Sequence, residues 1–167
     1  LRIEAQGISQ SGALRVGKAP ARALALPDHR TAFTAILAGL RDAGIASADL
    51  SAAAHRVVHG GPDLAETTEV TPAVRAAIAA AQPLAPLHNP HHLSAIDALA
   101  ALMPELPQFA AFDTGFHRTN PDVARRYALP EKPETAALRR YGFHGISYES
   151  LARNFTAQTG ADLPPRL

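Results

Sequence analysis

The sequence holds no cysteine, which excludes disulfides and thiolate-bound metal. No apolar run reaches the ~18 residues of a membrane span, and the opening residues do not read as a signal peptide. A basic tract is also lacking. Sixteen Lys and Arg stand against 15 Asp and Glu, so no nucleic-acid partner is expected. Neither a Walker A loop nor a GxGxxG fingerprint occurs, so a nucleotide would have to be handled without those loops or by parts not present here. There is no internal repeat, and low complexity goes no further than a bias toward alanine. Together these absences lead to the expectation of a cytoplasmic protein with no membrane partner.

What remains is a chain of 167 residues, 47% apolar, long enough for one domain with a sizeable core. It begins at Leu1 without Met and ends on Pro164-Pro165-Arg166-Leu167 straight after an expected helix. Both ends suggest a piece of something longer.

Along the chain, residues 1–9 read as a strand, 11–18 as a turn around Gly12 and Gly17, and 21–26 as a second strand closed by Pro27. Asp28 then looks like the N-cap of a helix carrying Phe33, Ile36, Leu37 and Leu40 at helical spacing, ended by Gly44. Residues 52–58 read as a strand broken by Gly60-Gly61-Pro62. Thr71-Pro72 opens a helix with Val74, Ala77, Ile78 and Ala81 inward. A Pro-rich loop at 82–90 precedes a helix at 91–103, with Leu93, Ile96, Leu99 and Met103 inward. Four apolar residues at 109–112 form a short buried strand that stops on Asp113. Asn120-Pro121 starts a short helix. Ser147 is expected to cap a last helix to Thr159, with Ile146 and Leu151 as a hydrophobic staple. Helices alternating with strands argue an α/β fold.

Four stretches carry chemistry. Asp113 ends a strand, where ligands bind in open α/β sheets, although Asp also commonly caps loops. Arg56, on an otherwise apolar strand ending in two glycines, requires an anionic partner unless it faces water. His88, His91 and His92 invite a metal reading, but Pro90 separates them and no acidic ligand is near. Residues 139–147 join two arginines, two aromatics and His144 just before a helix start, a setting suited to an anion.

HRVVHGG at 55–61, APLHNP at 85–90, FDTGFH at 112–117 and RRYGFHG at 139–145, in this order and spacing, resemble the acetate kinases. That acetokinase family belongs to the acetate and sugar kinase/actin superfamily. The resemblance is strong over residues 53–151 and diffuse outside. It implies reversible transfer of the ATP γ-phosphoryl group to acetate with Mg²⁺, giving acetyl phosphate and ADP, by a homodimer in its full-length form.

The implied fold is a ribonuclease-H-like, actin-like ATPase domain, incomplete here, with a mixed sheet flanked by helices. Residues 1–167 would be the acetate-binding N-terminal part of a two-domain kinase. The first phosphate-binding hairpin and the C-terminal nucleotide domain, with the principal Mg²⁺ and ATP ligands, would lie outside this chain. No metal ligand is assigned within it, and the chain alone is expected to be inactive.

By the same resemblance, Arg56 holds the substrate carboxylate, and Val58, Leu87 and Phe143 shape a pocket for its methyl group. Asp113 is the catalytic aspartate, His144 stabilises the transferring phosphoryl group, and His88 is a second active-site histidine. Acetate, with a pKa of about 4–5, is already ionised at pH 7 and needs no general base. Asp113 is therefore expected to organise Mg²⁺, its waters or Arg56. Gly115 and Ile146 depart from the usual Ala and Thr. Tyr148 replaces a usual His and can donate a hydrogen bond but carry no positive charge. A propionate or butyrate kinase, a non-catalytic carboxylate-binding remnant and a His-dependent metal protein are the alternatives. Val58 favours the smaller substrate over a longer acid.

Overall fold

Local signals start and stop most of the elements. The computed structural model describes residues 1–163, so the Pro164-to-Leu167 end lies outside the described residues. Packing gathers the chain into two compact units, Leu1–His55 with Pro90–Phe109, and Arg56–Asn89 with the chain from Ala110 onward.

In the first unit, β1 (Ile3–Gln6), β2 (Ala13–Val16) and β3 (Arg22–Ala23) form an antiparallel sheet, with Ile3 opposite Val16 and Ala13 opposite Ala23. The turn expected at 11–18 is instead largely β2. Its two glycines lie outside the strand, and its alternation buries Leu14 between exposed or half-buried neighbours. The strand expected at 21–26 pairs only over two residues, while Leu26 beyond it is buried in the core. Helix α1 (His29–Asp42) begins where the Asp28 carboxylate accepts the Thr31 N–H at 2.7 Å, and Gly44 follows its end at a φ of 83°. Leu93, Ile96 and Leu99 of α3 (Asn89–Leu102) are buried, as their spacing predicts. Each such Leu or Ile contributes about 1.5–3 kcal/mol on leaving water.

A second sheet has the order β4 (Ala53–Val57), β6 (Gln108–Phe112), β5 (Thr68–Glu69). The Ala53 N–H donates to Pro107 O and the Asp113 N–H to Val57 O, so β4 and β6 run in the same direction. The two-residue β5 carries too little pattern to be read from sequence.

In the second unit, Thr71 caps α2 (Pro72–Ala80) through the Val74 N–H at 3.2 Å. Ile78 and Ala81 are buried with Val57, Val58, Ala85, Ala110 and Phe112. A 3₁₀ turn at Phe116–Thr119 leads to α4 (Asp122–Arg125) and then to α5 (Gly145–Thr159). Here the expected cap is wrong. His144, at a left-handed φ of 58°, is the N-cap, and Ser147 lies inside the helix. The expected staple across Ser147 does not form, since Leu151 is exposed. A backbone hydrogen bond from Gly145 N–H to Asp113 O fixes the helix start earlier than side-chain signals suggest.

Candidate active site

The alternation of β6 buries Gln108, Ala110 and Phe112, and the chain then delivers Asp113 into a buried position. One more rung of the ladder, Asp113 N–H to Val57 O at 3.0 Å, ties it beside the end of β4. On β4, Val57 turns inward and Arg56 outward, as strand geometry requires of neighbours. The guanidinium bends onto Asp113. Nη2 lies 2.6 Å from Oδ2, and Nε lies 3.1 Å from both carboxylate oxygens. The pair is asymmetric: the carboxylate side chain is 3% exposed and the arginine 58%. The hydrogen bonds to Asp113 hold the Arg56 guanidinium above its ordinary pKa, more than desolvation lowers it. Arg56 thus faces water, as the alternative reading of its strand allowed, and it is the buried Asp113 carboxylate that needs the pairing.

Beyond β4, residues 58–61 are buried. A Cβ on Gly60 would sit 1.9 Å from Leu64 O, so glycine is needed for this approach of backbone to backbone. His59 is buried, and its Nδ1 accepts the Gly61 N–H at 2.9 Å. Burial lowers its pKa below the ordinary value. Asn89, also buried, accepts the His59 N–H at 3.3 Å and donates to His59 O at 2.9 Å and Ile78 O at 3.4 Å.

The loop at 139–145 comes down on the same strand end. Gly145 donates to Asp113 O at 2.8 Å, and a Cβ there would lie 2.3 Å from that oxygen. His144 therefore sits one residue from a direct bond to Asp113. Its left-handed backbone costs a residue with a Cβ about 1–2 kcal/mol. Strain of this kind clusters at functional sites. The Phe143 ring meets the edge of His59, and His117 Nε2 donates to Phe143 O at 3.0 Å.

Arg56 and Asp113 are thus in direct contact. Val58 neighbours His59, Phe143 touches it, and His144 stands beside Asp113. Leu87 and His88 are less engaged. They immediately precede Asn89, but Leu87 is 79% exposed and His88 is exposed too. A cavity of about 250 Å³ opens beside Thr114, lined among others by Gly61, His117, Arg118, Arg125 and Arg140. It includes none of the expected pocket residues. Tyr148 stacks on Phe116 and meets His117 edge-on.

Sequence reasoning passed over His59, Asn89 and His117, although all three lie inside the four motifs. A signal existed for two of them. A polar residue that directly follows an apolar strand, or stands before a helical Pro, commonly satisfies backbone groups. Among the described residues no three His, Cys, Asp or Glu converge on a metal-sized site. Asp113 is the single buried carboxylate among the described residues, too few oxygen ligands to hold Mg²⁺ without phosphate or groups from elsewhere.

The pattern that defines the Acetokinase family matches residues 2–162. An acetate kinase of Microcystis aeruginosa is 38% identical over 164 residues, covering 98% of this chain and 38% of that protein. One from Rhodopseudomonas palustris is 51% identical over 118 residues, 71% of this chain and 30% of the relative. The crystal structure of Porphyromonas gingivalis acetate kinase matches with a TM-score of 0.84 at 33% identity, over 95% of this chain and 42% of that one. A propionate kinase from Francisella tularensis matches at 0.84 and 29%, over 93% and 41%. The chain therefore spans about two fifths of the length of these structures. Their likeness bears out the actin-like α/β fold with a mixed sheet between helices. With the family pattern running nearly end to end and the backbone shared at this closeness, the chain belongs to the Acetokinase family.

Proposed function

We propose that this chain is the carboxylate-binding part of a kinase that moves the γ-phosphoryl group of ATP reversibly onto acetate. One observation carries the assignment. Arg56 has five N–H donors, of which Asp113 engages Nε–H and one on Nη2. Three remain on a side chain more than half exposed, anchored from behind by a buried anion. A fork of fixed donors facing water matches a carboxylate. In-line transfer then spreads negative charge over equatorial oxygens, where Arg56 and His144 would act.

Acetate arrives ionised, so no proton need be removed. With both its oxygens on Arg56, Asp113 serves to hold that guanidinium rather than as a general base. In this reading Val58, Leu87 and Phe143 wall the methyl group and His88 is a second active-site histidine. Mg²⁺ would be held by groups outside this chain and would supply neutralisation of phosphate charge. We further assign the full-length protein to the cytoplasm as a homodimer; no described helix is long and apolar enough to cross a membrane.

Saturation-transfer NMR on the chain tests this, with acetate as the probe. The methyl signal is expected with the wild type and lost in Arg56→Ala. An equal signal in both would sink the proposal. In a hydroxamate assay the chain alone should form no acetyl phosphate from ATP and acetate; turnover would show that the nucleotide site is here after all. Propionate deserves a parallel titration, because a propionate kinase is among the structural neighbours and one methylene discriminates by only about 1–3 kcal/mol.

A further inference from the structure

His59 is more than a satisfied core histidine. Its Nδ1 accepts the Gly61 N–H, so the neutral ring carries its proton on Nε2. Asn89 grips the His59 backbone on both sides, N–H and carbonyl, and also reaches Ile78 O. The imidazole lies edge-on to Tyr141 at 4.4 Å and 65°, and to Phe143 at 5.9 Å and 69°. One buried residue thus joins three segments that each carry a proposed pocket residue. Val58 precedes it, Leu87 and His88 precede its clamp Asn89, and Phe143 lies on its ring.

Phe143 is 42% exposed, so few contacts orient its side chain. His117 holds only its carbonyl. No other side chain of this size supplies both features that His59 uses. Asparagine offers an acceptor near the Nδ1 position without a ring, and phenylalanine offers a ring without an acceptor.

We propose that His59, keyed by Asn89, is a positioning residue that orients the Phe143 ring and so sets the size of the alkyl pocket. This rests on Phe143 being a wall of the carboxylate site. His59 touches neither the substrate nor the reacting atoms. It acts through Phe143 on the choice between acetate and a longer acid.

The test uses the 167-residue chain in two steps. Nitrogen-detected NMR of the wild type should show His59 with its proton on Nε2; a proton on Nδ1 would overturn the proposal without any variant. His59→Asn and His59→Phe are then compared. In His59→Phe the Phe143 ring signals should keep their dispersion, whereas in His59→Asn they should collapse toward those of a free side chain. Titration with acetate and propionate should show the preference for acetate falling about tenfold in His59→Asn and staying within about twofold in His59→Phe. A lower thermal midpoint with unmoved Phe143 signals would mean that His59 is merely structural. If the ring order changes as expected but the wild type binds neither acid, the positioning role is supported and the carboxylate site is what fails.

Discussion

The Arg56–Asp113 pair makes a quantitative test, because its two ends differ so much in exposure. Removing one member of a fully buried pair costs about 3–5 kcal/mol, while exposed pairs are worth about 0–1. Here the carboxylate is buried and the guanidinium head is in water. Arg56→Met strands the carboxylate without its cation and should cost about 2–3 kcal/mol, between those limits. Asp113→Asn keeps one oxygen that accepts from Arg56, so it should cost about 1–2 kcal/mol. For a chain of this size each kcal/mol lowers Tm by roughly 2–4 °C, so Arg56→Met should melt about 4–12 °C lower. The double variant leaves no stranded charge. Its loss should fall short of the sum of the two singles by about 1–2 kcal/mol. Urea unfolding of the four proteins gives the cycle. Additivity within about 0.5 kcal/mol would refute the coupling, and with it the view that Asp113 holds Arg56 in place.

Gly145→Ala should destabilise by about 1–3 kcal/mol, because the new methyl meets a backbone oxygen and Phe116 rather than a flexible side chain. An unchanged urea midpoint would show that the approach to Asp113 is looser than this. Burial lowers the pKa of His29, His55 and His59 below the ordinary 6.5. The unfolded chain then takes up protons first, so the stability they contribute is whole above about pH 6.5 and is lost as pH falls toward the lowered folded values. The urea midpoint should drop between neutral and mildly acidic pH, and His59→Asn should flatten only part of that drop. At Asp28 the hydrogen bonds from Thr31 lower the pKa below 3.8. Its stabilisation is present above 3.8 and lost as pH falls through the folded value. Circular dichroism melts of Asp28→Ala should therefore lie below the wild type at neutral pH and converge with it in strong acid.

Side chains that act on their own local backbone were legible in the sequence. Asp28 and Thr71 start helices by accepting nearby N–H groups, and Gly44 follows the end of one at positive φ. Leu93, Ile96 and Leu99 bury one helical face, and a four-residue apolar run delivers Asp113 to a strand end. That Arg56 either pairs with an anion or faces water also followed from its place on an apolar strand, and it does both. β2 was missed because its flanking glycines look like turn residues, although both stand outside the paired stretch.

The start of α5 belongs to the other kind. Ser147 carries a better capping side chain than His144, but the Gly145 N–H bonds to Asp113 O, 32 positions away in the chain. No local pattern encodes a contact of that separation. The same holds for the partner of Arg56, 57 residues on, and for the clasp of Asn89 on His59 across 30. The sequence by itself determined which residues carry charge, which faces are apolar, where most helices begin, and to which family its four motifs point. Only the tertiary structure decided that Asp113 turns both oxygens to Arg56, that His144 is held left-handed beside it, and that the His59 ring packs edge-on against Tyr141 and Phe143. Each of these depends on two distant segments meeting at one point, and chain packing, rather than the preference of any single residue, decides where they meet.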